Sequence, residues 1–72
     1  MKLNYYDDTD SLYIDLSSRE SVESKTVSEG LVLDYDTEGN LVGIDIDNAS
    51  TKLDLGEIDI NKLPIHTQRI TA

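Results

Sequence analysis

Apolar and polar residues alternate with a period of two, and this pattern constrains the fold most. Leu12, Ile14 and Leu16 are separated by single polar or aromatic residues, and residues 41–46 repeat the alternation. Successive side chains of a strand point to opposite faces of a sheet, whereas an amphipathic helix needs apolar residues three or four positions apart. Both segments are therefore predicted to be strands with an apolar face.

Three further segments carry strand patterns, at residues 2–6, 22–27 and 31–35. The segment 22–27 is largely polar and predicts an edge strand, because charged side chains discourage pairing with another chain at an open edge. Polar clusters between the segments predict turns. Gly43, in the middle of a strand pattern, predicts either a bulge or the close approach of a bulky neighbour such as a tyrosine.

The C-terminal third fits two interpretations. Residues 48–51 begin a helical turn in one of them, while a two-residue period over 53–60 favours a strand in the other. We predict short turns. Pro64 ends whatever precedes it, and residues 65–72 are predicted to be a loosely held tail of a single small domain, 1–72.

The chain is too short to enclose a large core. It has 72 residues and no cysteine, so neither a disulfide nor a zinc–thiolate site can compensate for a thin core. A lone sheet needs a cover, which the tail or a second copy of the chain can supply. The sequence predicts an α+β or nearly all-β domain. We expect a small antiparallel β-meander of about five strands with a C-terminal tail or short helical turn packed on one face. A homodimer is one way to cover that face.

The charge of the chain is strongly negative. Fifteen Asp and Glu against six Lys and Arg give a formal net charge of -9, which repels a nucleic-acid backbone. Direct nucleic-acid binding is therefore disfavoured, and the expected partner is a basic protein. No apolar run reaches the length of a membrane span or signal-peptide core, and there is no polybasic stretch. We expect a cytoplasmic protein that does not bind membranes.

Short motifs occur in order over about the first fifty residues. They are Tyr5-Tyr6-Asp7, Asp10-Ser11-Leu12-Tyr13-Ile14-Asp15-Leu16, Gly30-Leu31-Val32-Leu33-Asp34-Tyr35-Asp36, Gly39, Val42-Gly43-Ile44-Asp45-Ile46 and Ala49-Ser50. This series resembles the bacterial and phage domain of unknown function 2283. Some members of that family occur beside genes for toxins of the ribonuclease type, so the resemblance implies an antitoxin or partner subunit. It implies no catalytic residues.

One acidic segment has the spacing of a calcium-binding loop. Asp34, Asp36, Glu38 and Gly39 stand at its first, third, fifth and sixth positions, and Asp45 at its twelfth. Both flanks are predicted strands, however, where a calcium loop has helices, and the twelfth position lacks the longer Glu side chain. We interpret the segment as a polar hairpin loop.

The other candidate reactive residues also have structural interpretations. Asp7, Asp8 and Asp10 suit a turn, because Asp side chains hydrogen-bond to their own backbone. His66, the single histidine, is interpreted as a surface residue. A domain of this size can hardly enclose the apolar pocket that raises the pKa of a catalytic carboxyl. We therefore predict no catalytic, cofactor-binding or metal-binding residue, and no enzyme.

Two tyrosines and two tail residues are the candidate partner contacts: Tyr6, Tyr13, Ile65 and Ile70. Tyr6 and Tyr13 are predicted on strand faces opposite the apolar stripes, where they serve either an interface or cross-strand packing. The leading hypothesis is an acidic protein-interaction module, antitoxin-like towards a ribonuclease-type toxin. The alternatives are a nucleic-acid mimic and a structural domain without catalytic activity.

Overall fold

A computed structural model describes residues 1–64, which form one antiparallel sheet and one short helix. The elements in chain order are β1 (Lys2–Tyr6), β2 (Ser11–Asp15), β3 (Glu23–Ser28), β4 (Leu31–Tyr35), β5 (Leu41–Asp47) and α1 (Ala49–Lys52). The predicted fold class is confirmed: five antiparallel strands are followed by a short helical turn.

The strands lie in the order β1-β2-β5-β4-β3, and every neighbouring pair is antiparallel. Consecutive strands pair in three cases, but β2 pairs with β5, so the order is not sequential. The connection between β2 and β3 crosses the end of the sheet, where the Leu16 amide donates to the Val42 carbonyl and the Val22 amide to the Tyr35 carbonyl, both at 2.9 Å. The apolar strands β2 and β5 thereby lie inside the sheet. The polar strand β3 lies at an edge, as its sequence predicts.

The strand register gathers apolar side chains on one face. Leu12 lies opposite Ile46, and Ile14 opposite Ile44; side chains of directly opposed residues share a face of the sheet. We call this side the apolar face, and it comprises Leu3, Tyr5, Leu12, Ile14, Leu31, Leu33, Ile44 and Ile46. Ala49 of α1 is buried against Leu12 and Ile46. The helix therefore covers one part of this face.

The alternation of β5 is interrupted at Val42. Asp34 is paired with Gly43 but Tyr35 with Leu41, so the pairing skips Val42. The extra residue makes a β-bulge, and its side chain is buried. The bulge confirms one of the two outcomes predicted from the glycine in this strand.

The segment after α1 contains neither helix nor strand up to Pro64. It begins with a turn in which the Glu57 amide donates to the Asp54 carbonyl at 3.4 Å. The helix at Ala49–Lys52 and the turn from Asp54 to Glu57 agree with the prediction of short turns, and the strand alternative for 53–60 is wrong. Within the described residues, no helix is long and apolar enough to cross a membrane.

Candidate functional site

The side of the sheet opposite the apolar face is acidic. Asp15 and Asp34 both pair with Gly43, one from each side, and Asp45 pairs with Tyr13. Asp47, at the end of β5, pairs with Ser11. These pairings put four carboxylates from the three inner strands on one side of the sheet. We call Asp15, Asp34, Asp45 and Asp47 the acidic face.

Tyr13 connects two strands across the acidic face. Its hydroxyl donates to Asp34 Oδ2 at 2.8 Å, reaching from β2 across β5 to β4. The ring passes over Gly43, where a Cβ would overlap the hydroxyl and lie 2.6 Å from Tyr13 Cζ. Gly43 therefore permits the close approach of a tyrosine, which is the second outcome predicted from its position. Ser24 Oγ donates to the other oxygen, Asp34 Oδ1, at 2.6 Å.

The pKa values of two groups on the acidic face, Tyr13 and Asp45, are raised. The hydrogen bond to Asp34, together with burial and neighbouring carboxylates, raises the pKa of Tyr13 to about 12. Burial, and after it repulsion from Asp47 and Asp34, raises the pKa of Asp45. Tyr13 is thus protonated at neutral pH and acts as a donor. The face offers an array of acceptor oxygens, which suits ammonium and guanidinium groups.

The structure describes two of the four candidate partner contacts. Tyr6 pairs with Ser11, lies on the same side as the acidic face and is 52% exposed. Tyr13 is on that side too, but it is partly buried and its hydroxyl is engaged by Asp34. Ile65 and Ile70 lie outside the described residues.

Asp10 joins the turn between β1 and β2 to α1. Its Oδ1 accepts from the Tyr5 hydroxyl at 2.8 Å and the Ser50 amide at 3.0 Å, and its Oδ2 accepts from Ser50 Oγ at 2.7 Å. Its carbonyl accepts from the Ala49 amide at 2.9 Å. The side-chain bonds from Ser50, then Tyr5, hold the pKa of Asp10 below its usual range. Asp10 therefore caps the helix from a distant part of the chain.

Asp36, the third position of the calcium-like segment, closes the hairpin between β4 and β5. Its Oδ1 accepts the amides of Glu38 and Asn40 at 2.9 and 2.8 Å, and its Oδ2 accepts from Asn40 Nδ2 at 3.2 Å. Arg19 Nε lies 3.3 Å from Oδ2. Bonds from the Asn40 backbone are the main reason that the pKa of Asp36 is lowered. The polar hairpin interpretation is confirmed, and the Asp36 carboxylate is already engaged in hydrogen bonds within the turn.

Between Met1 and Pro64, no three carboxylate or histidine side chains are grouped as a metal site. His66 lies outside the described residues. Asp10 of the Asp7–Asp10 turn directs its carboxylate to Ser50 and Tyr5 instead.

Sequence reasoning missed three residues that hold these sites in place: Arg19, Ser24 and Lys52. Lys52 Nζ donates to the carbonyl of Asp47 at 2.6 Å and to those of Glu29 and Gly30 at 3.4 and 3.5 Å, which ties α1 to the β3–β4 turn. A basic residue in the last turn of a helix is a sequence signal for binding to carbonyls. No local pattern points to Arg19 or Ser24, because their partners Asp36 and Asp34 lie in other elements.

The fold and the acidic face define a small antiparallel-sheet domain held together by hydrogen bonds among carboxylates, hydroxyls and main-chain amides. A family model described as a protein of unknown function (DUF2283) matches residues 2–50, and the chain belongs to this family. The match spans all five strands and ends at Ser50, so it includes both the Tyr13–Asp34 and the Asp10–Ser50 contacts. Comparisons with curated proteins and with solved structures found no match.

Proposed function

We propose that this chain is a protein-interaction module whose acidic face binds a basic protein. The observation that carries the proposal is the arrangement of Asp15, Asp34, Asp45 and Asp47 on one side of a sheet. Burial is the main reason that the pKa of Asp45 is raised, and repulsion from the carboxylates of Asp47 and Asp34 adds to it. A cationic partner would relieve this repulsion on binding.

The face is also ordered before any partner arrives. Tyr13 and Ser24 hold both oxygens of Asp34 with hydrogen bonds of 2.8 and 2.6 Å. A carboxylate already held in place loses less conformational entropy when it pairs with a Lys or Arg. Tyr6, half exposed beside the acidic face, supplies an aromatic contact of the kind enriched at interfaces.

The proposed activity is binding without catalysis or a cofactor. Tyr13 has a pKa of about 12 and its proton is committed to Asp34, so it is unsuited to act as a base near neutral pH. Asp10 and Asp36 have lowered pKa values and are engaged by amides and hydroxyls, so they are unsuited to act as general acids. These groups support structure and charge rather than proton transfer.

We propose a ribonuclease-type toxin as the basic partner, because some members of the family that the sequence resembles occur beside genes for such toxins. A protein that binds RNA presents Lys and Arg to the phosphates, and an acidic sheet face is complementary to such a surface. The net charge of -9 would accelerate the encounter of the two proteins. An antitoxin of this type would act by competing with RNA for the basic surface.

The experiment is co-expression of the neighbouring open reading frame with and without this chain, followed by binding kinetics on the purified pair. We expect growth arrest by the neighbour alone, relief by this chain, and association that slows steeply as salt rises, because screening weakens steering. Dissociation should change much less.

Matched variants distinguish the contribution of the acidic face to association from that of the net charge. The double variant Asp15→Asn/Asp45→Asn should slow association about ten-fold at low salt. The control Glu57→Gln/Asp59→Asn removes the same charge from the segment after α1 and should have a smaller effect. Equal effects of the two variants, or a neighbour that is harmless alone, would remove the proposal.

A further inference from the structure

The apolar face is only partly covered by the described residues. Leu3 and Tyr5 are each 46% exposed. The segment after α1 faces them across an open groove of about 740 Å³. We call this the apolar groove; its apolar lining comprises Leu3, Tyr5, Leu12, Leu53, Leu55 and Ile58. Exposed apolar side chains that are contiguous in this way, rather than scattered singly, mark a candidate binding surface.

Charge is divided unequally between the two sides of the sheet. Within the strands, the apolar side carries Lys25 and Glu23, both on the edge strand β3 and opposite Leu33 and Tyr35. Asp54 is the charged residue that lines the apolar groove. The four carboxylates of the acidic face point the other way. Two copies could therefore meet at their grooves while these carboxylates remain on the outer sides.

The broad side of the molecule has room for an interface of standard size. The two longer axes of the molecule measure 30 and 29 Å, so this whole side, of which the apolar groove is one part, is comparable with the roughly 800 Å² that each partner buries in such an interface. The core of a single copy is thin: Leu12, Val42, Ile46 and Ala49 are its buried apolar residues within the described part of the chain. Burial of the groove would enlarge that core.

We infer that the apolar groove is the surface through which two copies of this chain form a homodimer. The same surface of each copy is used, as two-fold symmetry requires. The acidic faces then lie on opposite sides of the dimer, each available to a basic partner. The inference is independent of the proposed function, because it concerns the other side of the sheet.

The first test is sedimentation equilibrium of the full chain over a range of concentrations. We expect a mass that rises from 8.0 kDa towards twice that value. Leu3→Lys and Ile58→Lys should each weaken dimerisation at least about ten-fold, since each buries a charge in an apolar contact. Ile58 is 66% exposed and outside the helix and strands, so its substitution leaves the fold intact.

The matched control is Val22→Lys, which makes the same change of charge at a residue that is 55% exposed and outside the groove. It should leave dimerisation unchanged. Added salt should strengthen the dimer or leave it unchanged, because salt screens the repulsion between two acidic chains. Added salt should instead weaken the binding of a basic protein to the acidic face. Failure of the dimer inference is therefore distinguishable from failure of the proposed function.

Three outcomes would overturn the inference. The first is a mass of 8.0 kDa at all concentrations. The second is a dimer that Val22→Lys weakens as much as Ile58→Lys does, which would place the interface elsewhere. The third is a monomer that dimerises only after deletion of residues 65–72, which would assign the groove to the chain's own C-terminal segment.

Discussion

At the scale of single residues, Gly43 lies where β5 passes beneath the Tyr13 ring, and the lack of a side chain lets the Tyr13 hydroxyl reach Asp34. Replacement of a strand glycine by alanine ordinarily stabilises by about 0.5–1 kcal/mol. Here Gly43→Ala should instead destabilise by about 2 kcal/mol, because the ring must move and its hydrogen bond is lost. Urea unfolding measures the difference.

The control is the same substitution in a Tyr13→Val background. Without the ring above position 43, Gly43→Ala should be neutral or stabilising. An equal loss of stability in both backgrounds would mean that some other contact at Gly43 is responsible.

The ionisation of Tyr13 is a second prediction for a single residue. Asp34→Asn should bring the pKa of Tyr13 down from about 12 towards its usual value of 10, because the carboxylate hydrogen bond is the largest cause of the rise. Because the folded-state pKa is raised, this contribution to stability is present below pH 10 and is lost as the pH rises through about 12. Tyrosinate absorbance during alkaline titration, with Tyr13→Phe to assign the step, would measure it; an unchanged midpoint in Asp34→Asn would count against the contact.

At the scale of elements, α1 depends on the turn between β1 and β2. Four residues cannot form a stable isolated helix, so the bonds from Ser50 to Asp10 fix its position. Ser50→Ala should cost about 1 kcal/mol of stability. Ser21→Ala, at an exposed serine between β2 and β3, is the control and should cost little. A comparable loss in both variants would show that the contact stabilises nothing.

The same variant should alter the acid limb of the stability curve. The pKa of Asp10 is lowered chiefly by Ser50, so its contribution is present above the usual value of 3.8 and is lost as pH falls through the lower folded-state pKa. Ser50→Ala should raise the pKa of Asp10 towards 3.8 and reduce this loss. Carboxyl chemical shifts during an acid titration report the change directly.

The hairpin between β4 and β5 carries a prediction about calcium binding. We predict that the segment from Asp34 to Asp45 does not bind calcium with useful affinity, because Asp36 is already bound by Glu38, Asn40 and Arg19 and its flanks are paired strands. Calorimetric titration should show no saturable heat. A micromolar site that Asp36→Asn abolishes would contradict the prediction.

At the scale of the whole molecule, a thin core makes stability sensitive to the apolar face. Ile14 lies between Leu3 and Ile44 and packs against the buried cluster. Ile14→Asp should cost more than about 3 kcal/mol, enough to unfold a domain of this size. Far-ultraviolet circular dichroism should show loss of the strand spectrum. The control Asp15→Asn, one residue away on the acidic face, should remain folded. A folded Ile14→Asp variant would mean that the apolar face contributes little to stability.

The sequence by itself determined the features that depend on neighbouring residues. Alternation identified β2 and β5, and polar composition placed β3 at an edge. The glycine in β5 indicated either a bulge or an overlying tyrosine, and the structure has both. The helical turn after β5 was one of the elements that the local pattern allowed. These features follow from the period of side chains along a strand and from the conformational range of each residue, both of which are local properties.

Only the tertiary structure decided which elements meet. The pairing of β2 with β5, the bond from Tyr13 to Asp34 and the contact of Asp10 with Ser50 join residues 21 to 40 positions apart. Alternation gives each strand an apolar side but does not specify its neighbour, since many pairings bury the same side chains. The choice among them comes from the combined packing, hydrogen bonding and chain connections of the folded molecule, which no local segment contains.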